Sequence, residues 1–130
     1  MTVPDTFDPL ARVSAYQLAV AALREARRDA ATLAGVPGQH EIAAQLLRAV
    51  GSVAANIAEG YSRASLADRR RFLEYALGST RESLVWYEAI ATPETDQRME
   101  RLVSVRRLLL TMIRNTRRPP SPAAEPKAEL

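Results

Sequence analysis

Cysteine is absent from this sequence of 130 residues, and histidine occurs once, as His40. The absence of cysteine excludes disulfides, thiolate metal ligands and thiol nucleophiles, and it fits a reducing compartment. Glu41 follows the histidine, but a zinc-binding HExxH helix needs a second histidine at position 44, where this chain has Ala44. We therefore interpret His40 as a residue at the start of a helix and expect no metal site.

Glycine-rich phosphate-binding patterns are also missing. Three of the five glycines stand alone inside helical segments: Gly51, Gly60 and Gly78. Isolated glycines of this kind are more typical of close helix contacts than of a nucleotide-binding loop. The serines have no histidine base, and the carboxylates have arginines nearby, which makes ion pairing their simpler role. The sequence therefore predicts no enzyme, no cofactor and no small-molecule substrate.

Long apolar runs are absent as well, since no stretch of about 18 uncharged apolar residues occurs. The first ten residues, MTVPDTFDPL, have neither the basic start nor the apolar segment of a signal peptide. These absences predict a cytoplasmic protein without membrane association. Lysine is scarce too: Lys127 is the only one, so nearly all of the 18 cationic residues are arginines, in a chain of net charge +3.

Apolar residues recur every three or four positions in four segments, and no segment has the period-two alternation of a strand. The cap-and-proline pair Asp8-Pro9 predicts a first helix over residues 9–34. A second helix is expected from about His40. Ser65 predicts the cap of a third helix, and Thr92-Pro93 the start of a fourth, which ends near Arg117.

The connections between these four helices are short, so that neighbouring helices must reverse direction. The predicted fold class is therefore all-α, as an antiparallel up-down-up-down four-helix bundle over residues 9–118. Residues 1–8 form an N-terminal extension, and the Pro/Ala-rich residues 119–130 are expected to be a disordered tail.

The second helix carries a polar stripe on an otherwise apolar surface. Its members lie three or four residues apart: Gln45, Arg48, Ser52, Asn56, Glu59 and Arg63. Buried polar groups need hydrogen-bonding partners, and Glu82 of the third helix is our preferred partner for Arg48. Three interpretations are open: an interior network that fixes helix register, which we prefer, a seam between subunits, or a ligand site.

The same helix has a second apolar face, which one bundle core cannot easily bury. We expect this face to contact another subunit, together with an aromatic residue at the end of the third helix. The predicted interface residues are Leu47, Val50, Ala54, Tyr61 and Tyr87.

The fourth helix has a basic face beside its apolar stripe. At about 100° per residue, one arc holds Arg106, Arg107, Arg114, Arg117 and Arg118. Such a face can bind nucleic acid by neutralising phosphates, although a solvated amphipathic helix shows a similar pattern. Aromatic residues for stacking on bases are scarce, which argues against reading of single-stranded sequence.

The ordered set of residues in helices two and three resembles a known family, the small bacterial four-helix-bundle proteins encoded in intervening sequences of 23S ribosomal RNA genes. The matching residues are Pro37, Glu41, Gln45, Arg48-Ala49, Ser52, Asn56 to Tyr61, Ser65, Arg71 to Leu73, Gly78-Ser79 and Glu82. The resemblance covers helices two and three densely and helices one and four loosely.

This resemblance implies an antiparallel four-helix bundle that assembles as a homopentamer. Related accessory proteins of diversity-generating retroelements partner a reverse transcriptase and bind RNA. The resemblance therefore implies RNA, or an enzyme acting on nucleic acid, as a partner, and it supplies no catalytic residues. We expect a non-enzymatic adaptor or scaffold that binds structured RNA through the basic face. A purely structural protein-interaction module is the alternative.

Overall fold

A computed structural model describes residues 8–117, and four long helices make up most of this range. These are α1 (Ser14–Ala34), α2 (His40–Tyr61), α3 (Leu66–Ile90) and α4 (Thr95–Arg117). Each helix packs against its neighbours in sequence, and α1 also packs against α4, which closes the bundle. The described residues contain no strand. The prediction of an all-α four-helix bundle is confirmed.

The beginning of the first helix differs from the prediction. Asp8 is a cap, since its side chain accepts a hydrogen bond from the Leu10 amide at 3.0 Å, but it caps a 3-10 helix over Pro9–Arg12. Val13 then adopts an extended backbone, with φ −74° and ψ 118°, before α1 begins at Ser14. This break lets Leu10 and Val13 pack against the core. The expected continuous helix from residue 9 is therefore wrong.

The third helix begins where the sequence predicts. The Ser65 hydroxyl accepts a hydrogen bond from the Asp68 amide at 3.0 Å, which satisfies one free donor of the first turn. The fourth begins later than predicted, because Pro93 and Glu94 form a turn first. The carbonyl of Thr92 accepts hydrogen bonds from both the amide and the hydroxyl of Thr95 within that turn.

The core consists of two clusters of apolar residues, and each cluster draws on all four helices. On α1 the buried apolar positions are all alanines: Ala15, Ala19, Ala22, Ala26 and Ala30. Small residues there let α1 approach the larger core residues of α2 and α4, such as Leu46 and Leu109, which are fully buried. The predicted extension and tail fall outside the described residues, except for Asp8, and so does Arg118.

Candidate functional site

The polar stripe of α2 lies on the flank that faces α3. One hydrogen bond crosses between the helices, from the Ser79 hydroxyl to the Ser52 hydroxyl at 3.0 Å. Asn56 fixes Ser52 from the same side, because its amide donates to the Ser52 carbonyl at 2.8 Å and hydroxyl at 2.9 Å. Arg48 donates to Gln45, one turn earlier on α2. Most of the stripe is therefore bonded along α2 itself.

The charged side chains of the stripe are open to solvent, whereas Ser52 and Asn56 in its middle are half-buried, which corrects the expectation of a wholly interior network. The Arg48 side chain is 65% exposed, and Glu82 lies 3.8 Å from it with 43% exposure, so the preferred pair exists but is solvated. Glu59 pairs with Arg63 and is 45% exposed. Exposed pairs of this kind contribute at most about 1 kcal/mol to folding. The stripe occupies the α3-facing flank of α2 rather than its core-facing side, so its charges are accessible to a partner.

An aromatic and arginine cluster lies at the α2–α3 corner and was not predicted. The Phe72 ring has two guanidinium groups near it, from Arg63 and Arg71, each 4.9 Å from the ring centroid. Tyr75 meets the same ring edge-on, with the centroids 5.6 Å apart. Tyr75 is nevertheless 50% exposed. The cluster holds Arg71 and Tyr75 on the outside of α3.

Three of the five predicted interface residues lie in the core of the chain itself. Val50, Ala54 and Tyr87 are 0%, 7% and 2% exposed, so they cannot contact another subunit in this fold. The second apolar face of α2 is largely covered by α1 and the bundle core. Only Leu47 and Tyr61 remain accessible among the five.

The basic face of α4 is divided by its contacts. Arg117 donates to Glu74 of α3 at 2.7 Å, which neutralises it in part. Arg107 and Arg114 are exposed and Arg106 is half-buried, and none of these three forms an ion pair within the described part of the chain. Arg118 was predicted to belong to this face but lies outside the described residues.

One further arginine, missed by the sequence analysis, lies beside this face. Glu74 binds Arg117 near one end of α3, and Val85 lines a groove with Arg106 farther along. Arg81 lies between Glu74 and Val85 on α3. Because α3 and α4 run antiparallel, it is at the same height in the bundle as the helical turn of α4 that follows Arg106. Its side chain is exposed.

The strongest polar cluster joins α1, α3 and α4, and it was also missed. Asp29 accepts two hydrogen bonds from Arg98, at 2.8 and 3.0 Å, and one from the Tyr87 hydroxyl at 2.5 Å. Arg101 makes a bidentate pair with Glu25 at 3.0 and 3.1 Å. Every charge in this cluster already has a partner, so it ties helices together and offers no free group for chemistry.

These contacts shift the acid–base properties of the cluster. Burial raises the pKa of Asp29, but the hydrogen bonds from Arg98 and Tyr87 and the charge of Arg98 outweigh it, so its pKa lies below the ordinary 3.8. Burial and the hydrogen bond to Asp29 raise the pKa of Tyr87 above its ordinary 10.0. Asp29 is therefore held ionised and Tyr87 protonated.

Among the described residues, no group of three or more histidine, cysteine or carboxylate side chains could hold a metal ion. None of the described helices contains a segment with the length and hydropathy needed to span a membrane.

Comparison with known proteins identifies a family and a similar solved structure. The family described as "23S rRNA-intervening sequence protein" matches residues 14–102. A crystal structure of a protein with unknown function, from the S23 ribosomal protein family of Bacteroides thetaiotaomicron VPI-5482, superposes with a TM-score of 0.72. It is 22% identical and covers 76% of this chain and 97% of its own. No curated protein matches the sequence significantly.

Proposed function

The chain belongs to the 23S rRNA-intervening sequence protein family, and from this premise we propose that it is a non-enzymatic, self-assembling adaptor that binds structured RNA through α4. The assembly is a homopentameric ring, as the family resemblance implies. In this proposal the bundle is a rigid support, and the binding surface is a set of arginines on one side of it.

The observation that supports RNA binding is the group of cations without local partners on this side. Arg107 and Arg114 are exposed on α4, Arg106 is half-buried beside them, and Arg81 adds a charge from α3. Arginines held on two packed helices keep a fixed spacing, and they gain free energy by releasing counterions from phosphates.

The charge distribution along α4 favours a localised contact. The first half of its outer surface carries Asp96 and Glu100, whereas the second half carries Arg107 and Arg114. A surface that is basic at one end and acidic at the other binds a polyanion in one place rather than along its whole length. The RNA contact therefore lies at the C-terminal half of α4.

Binding of a structured RNA, measured over a salt series, tests this proposal. We expect the logarithm of the association constant to fall linearly with the logarithm of the salt concentration. The Arg107→Glu/Arg114→Glu variant should bind more weakly, and the magnitude of its salt slope should be smaller by about 2. The matched control is Arg24→Glu/Arg27→Glu, which makes the same change in net charge at exposed positions of α1. Equal losses in the two variants, or no binding at low salt, would refute RNA binding by α4.

A protein-interaction module without nucleic acid is the second candidate. It is favoured by two apolar side chains among the arginines, since Val85 is 62% exposed and Leu110 is 40% exposed. Exposed apolar residues beside arginines are common at protein interfaces. This candidate predicts self-assembly in solution, with no RNA binding in the same salt series.

A further inference from the structure

The outer surface of α3 carries large apolar residues that nothing in the chain covers. Val85 and Tyr75 are the most exposed large apolar side chains among the described residues, at 62% and 50%. Gly78 lies between them in the middle of the helix, and a Cβ added there would meet no atom within 4 Å. Glycine in a helix interior is destabilising relative to alanine, and no packing contact within the chain requires a glycine here.

The outer surface of α2 has the opposite shape. Ala44 and Ala55 are exposed on it, and Gly51, which is half-buried beside Leu23 of α1, lies between them. This surface is therefore flat, and it is bordered by the accessible charges Arg48 and Glu59. One helix thus presents protruding apolar side chains, and the other presents small residues on which such side chains can pack.

The charges on the two surfaces follow the same spacing and order. On α2, Arg48 precedes Glu59, and on α3, Arg71 precedes Glu82; eleven residues, or three turns and about 16 Å, separate each pair. Two helices with this order are complementary only when they lie antiparallel. Each arginine then meets a glutamate of the other helix, whereas parallel packing places like charges together.

We propose that copies of this chain join head to tail, with α3 of one copy packed against α2 of the next. Arg71 pairs with Glu59 of the next copy and Glu82 with Arg48 of the next copy. In that register, Tyr75 lies on Ala55 and Val85 close to Ala44. The inference rests on the self-assembly in the proposed function and assigns its contact.

Ring symmetry requires the helix polarity that these charges specify. Around an axis parallel to the bundle, every copy points the same way, so α2 of one copy and α3 of its neighbour are antiparallel as they are within one chain. The contact joins two different surfaces, so a copy that has used its α3 surface still has its α2 surface for the neighbour on the other side. Such a heterologous contact closes into a ring when the rotation between neighbouring copies divides a full turn evenly, as in the proposed pentamer.

The four charges lie at the surface and have only solvent-accessible ion-pair partners within one chain, so they can exchange partners. Arg48 is 3.8 Å from Glu82, Arg71 is 3.5 Å from Asp68, and Glu59 forms a hydrogen-bonded pair with Arg63. The side chains of Arg48, Glu59, Arg71 and Glu82 are all at least 43% exposed. Ion pairs this exposed cost little to rearrange. A neighbouring copy can therefore recruit them without breaking a buried contact.

Two variants that each lose one surface test the proposal. Ala55→Arg disables the α2 surface and Val85→Arg the α3 surface, both at positions exposed in the single chain. Each variant alone is expected to be monomeric by light scattering, with an unchanged helical circular dichroism spectrum. Mixed in equal amounts, they are expected to form a 1:1 dimer and nothing larger, because one intact α3 surface meets one intact α2 surface.

Charge reversals in this dimer test the register. Its contact uses α3 of the Ala55→Arg chain, so adding Arg71→Glu to that chain should raise the dissociation constant at least about tenfold, and adding Glu59→Arg to the other chain should restore it. The matched control places Arg71→Glu in the Val85→Arg chain, whose α3 surface is unused, and should change nothing.

The outcomes separate this contact from the proposed function. If the wild-type chain assembles and both single variants still assemble, the α2–α3 contact is wrong while self-assembly stands. Dimers formed by either variant alone would indicate a symmetric contact and would also overturn the proposal. A monomeric wild-type chain would refute the contact and the self-assembly together, whereas RNA binding by α4 would be unaffected.

Discussion

Because Asp29 lies at the centre of a half-buried polar cluster, its substitution should lower the free energy of unfolding more than any other single polar substitution in the bundle. Asp29→Asn keeps the size of the side chain but removes the charge that accepts two hydrogen bonds from Arg98 and one from Tyr87. Breaking a buried ion pair typically costs about 3–5 kcal/mol, and a hydrogen bond to a charged group contributes about 1.5–3 kcal/mol.

Two features of the cluster set the expected magnitude. Asp29 and Arg98 are 21% and 14% exposed, so some water already reaches them, and Arg98 retains Glu25 at 3.6 Å as a second partner. We therefore expect Asp29→Asn to lower the free energy of unfolding by about 2–4 kcal/mol, a large part of the 5–15 kcal/mol typical of a domain. Tyr87→Phe, which removes one donor and keeps the ring, should cost about 1–2 kcal/mol.

Urea unfolding followed by circular dichroism measures both changes, at several protein concentrations because subunit contacts add to stability. The control is Glu74→Gln, which breaks the exposed pair with Arg117 and should change the unfolding free energy by no more than about 0.5 kcal/mol. If Asp29→Asn cost no more than Glu74→Gln, the cluster would contribute no more than a surface pair, and the assigned role would be wrong.

Two other predictions concern pH and glycine. The pKa of Asp29 is lowered in the folded state, so its contribution to stability is complete above the unfolded pKa near 3.8 and is lost as pH falls through the folded pKa. The pKa of Tyr87 is raised in the folded state, so its contribution is complete below the unfolded pKa of 10.0 and is lost as pH rises toward the folded pKa. Unfolding free energies measured across pH should therefore fall at both ends, and the acid fall should be smaller in Asp29→Asn. Gly60→Ala places a Cβ 3.2 Å from the Phe72 Cβ and 3.3 Å from a backbone oxygen, and should lower the unfolding free energy by about 1–3 kcal/mol. Gly78→Ala places its Cβ in open space and should raise the unfolding free energy by about 1 kcal/mol. Both glycine variants are made in the Val85→Arg chain, so that the proposed subunit contact does not contribute to the measured stability.

Helix number and the α3 cap were predictable because they depend on local patterns. Ser65 acts through a hydrogen bond to an amide three residues away, so sequence alone locates it. The break at Val13 was not predictable in this way. A 3-10 turn and an α-helix have the same local start signal, and only the packing of Leu10 and Val13 against the core distinguishes them.

The misplaced interface residues have a geometric cause. An apolar arc wider than one helix contact indicates that a helix has two neighbours, but it does not identify them as belonging to the same chain. In α2 the second neighbour is α1, which together with the core buries Val50 and Ala54. The Asp29 cluster could have been predicted from residue spacing. Glu25 and Asp29 are one turn apart on α1, and Arg98 and Arg101 are nearly one turn apart on α4, so two carboxylates and two guanidinium groups face each other where these helices pack.

The proposed ring and the proposed RNA surface adjoin on α3, where Arg81 and Val85 lie one turn apart, but they are otherwise on different sides of the bundle. The subunit contact engages the outer surfaces of α2 and α3, while Arg107 and Arg114 project from α4. Assembly therefore leaves Arg107 and Arg114 of every copy free, and one RNA molecule can meet several of these pairs. Linked sites bind more tightly than single sites because, after the first contact, the next is intramolecular.

This arrangement predicts an avidity that can be measured with the 1:1 dimer of the two single variants. The 1:1 complex of Ala55→Arg and Val85→Arg keeps every arginine of the α4 surface but presents only two copies of it, and the one arginine added to each chain favours RNA binding and so opposes the expected loss. Long structured RNA should bind the wild-type ring about 100-fold or more tightly than this dimer, whereas an RNA too short to span two subunits should bind both with the same affinity per chain. Equal affinities for long RNA would mean that the basic surfaces act singly, and the ring would then serve some purpose other than RNA avidity.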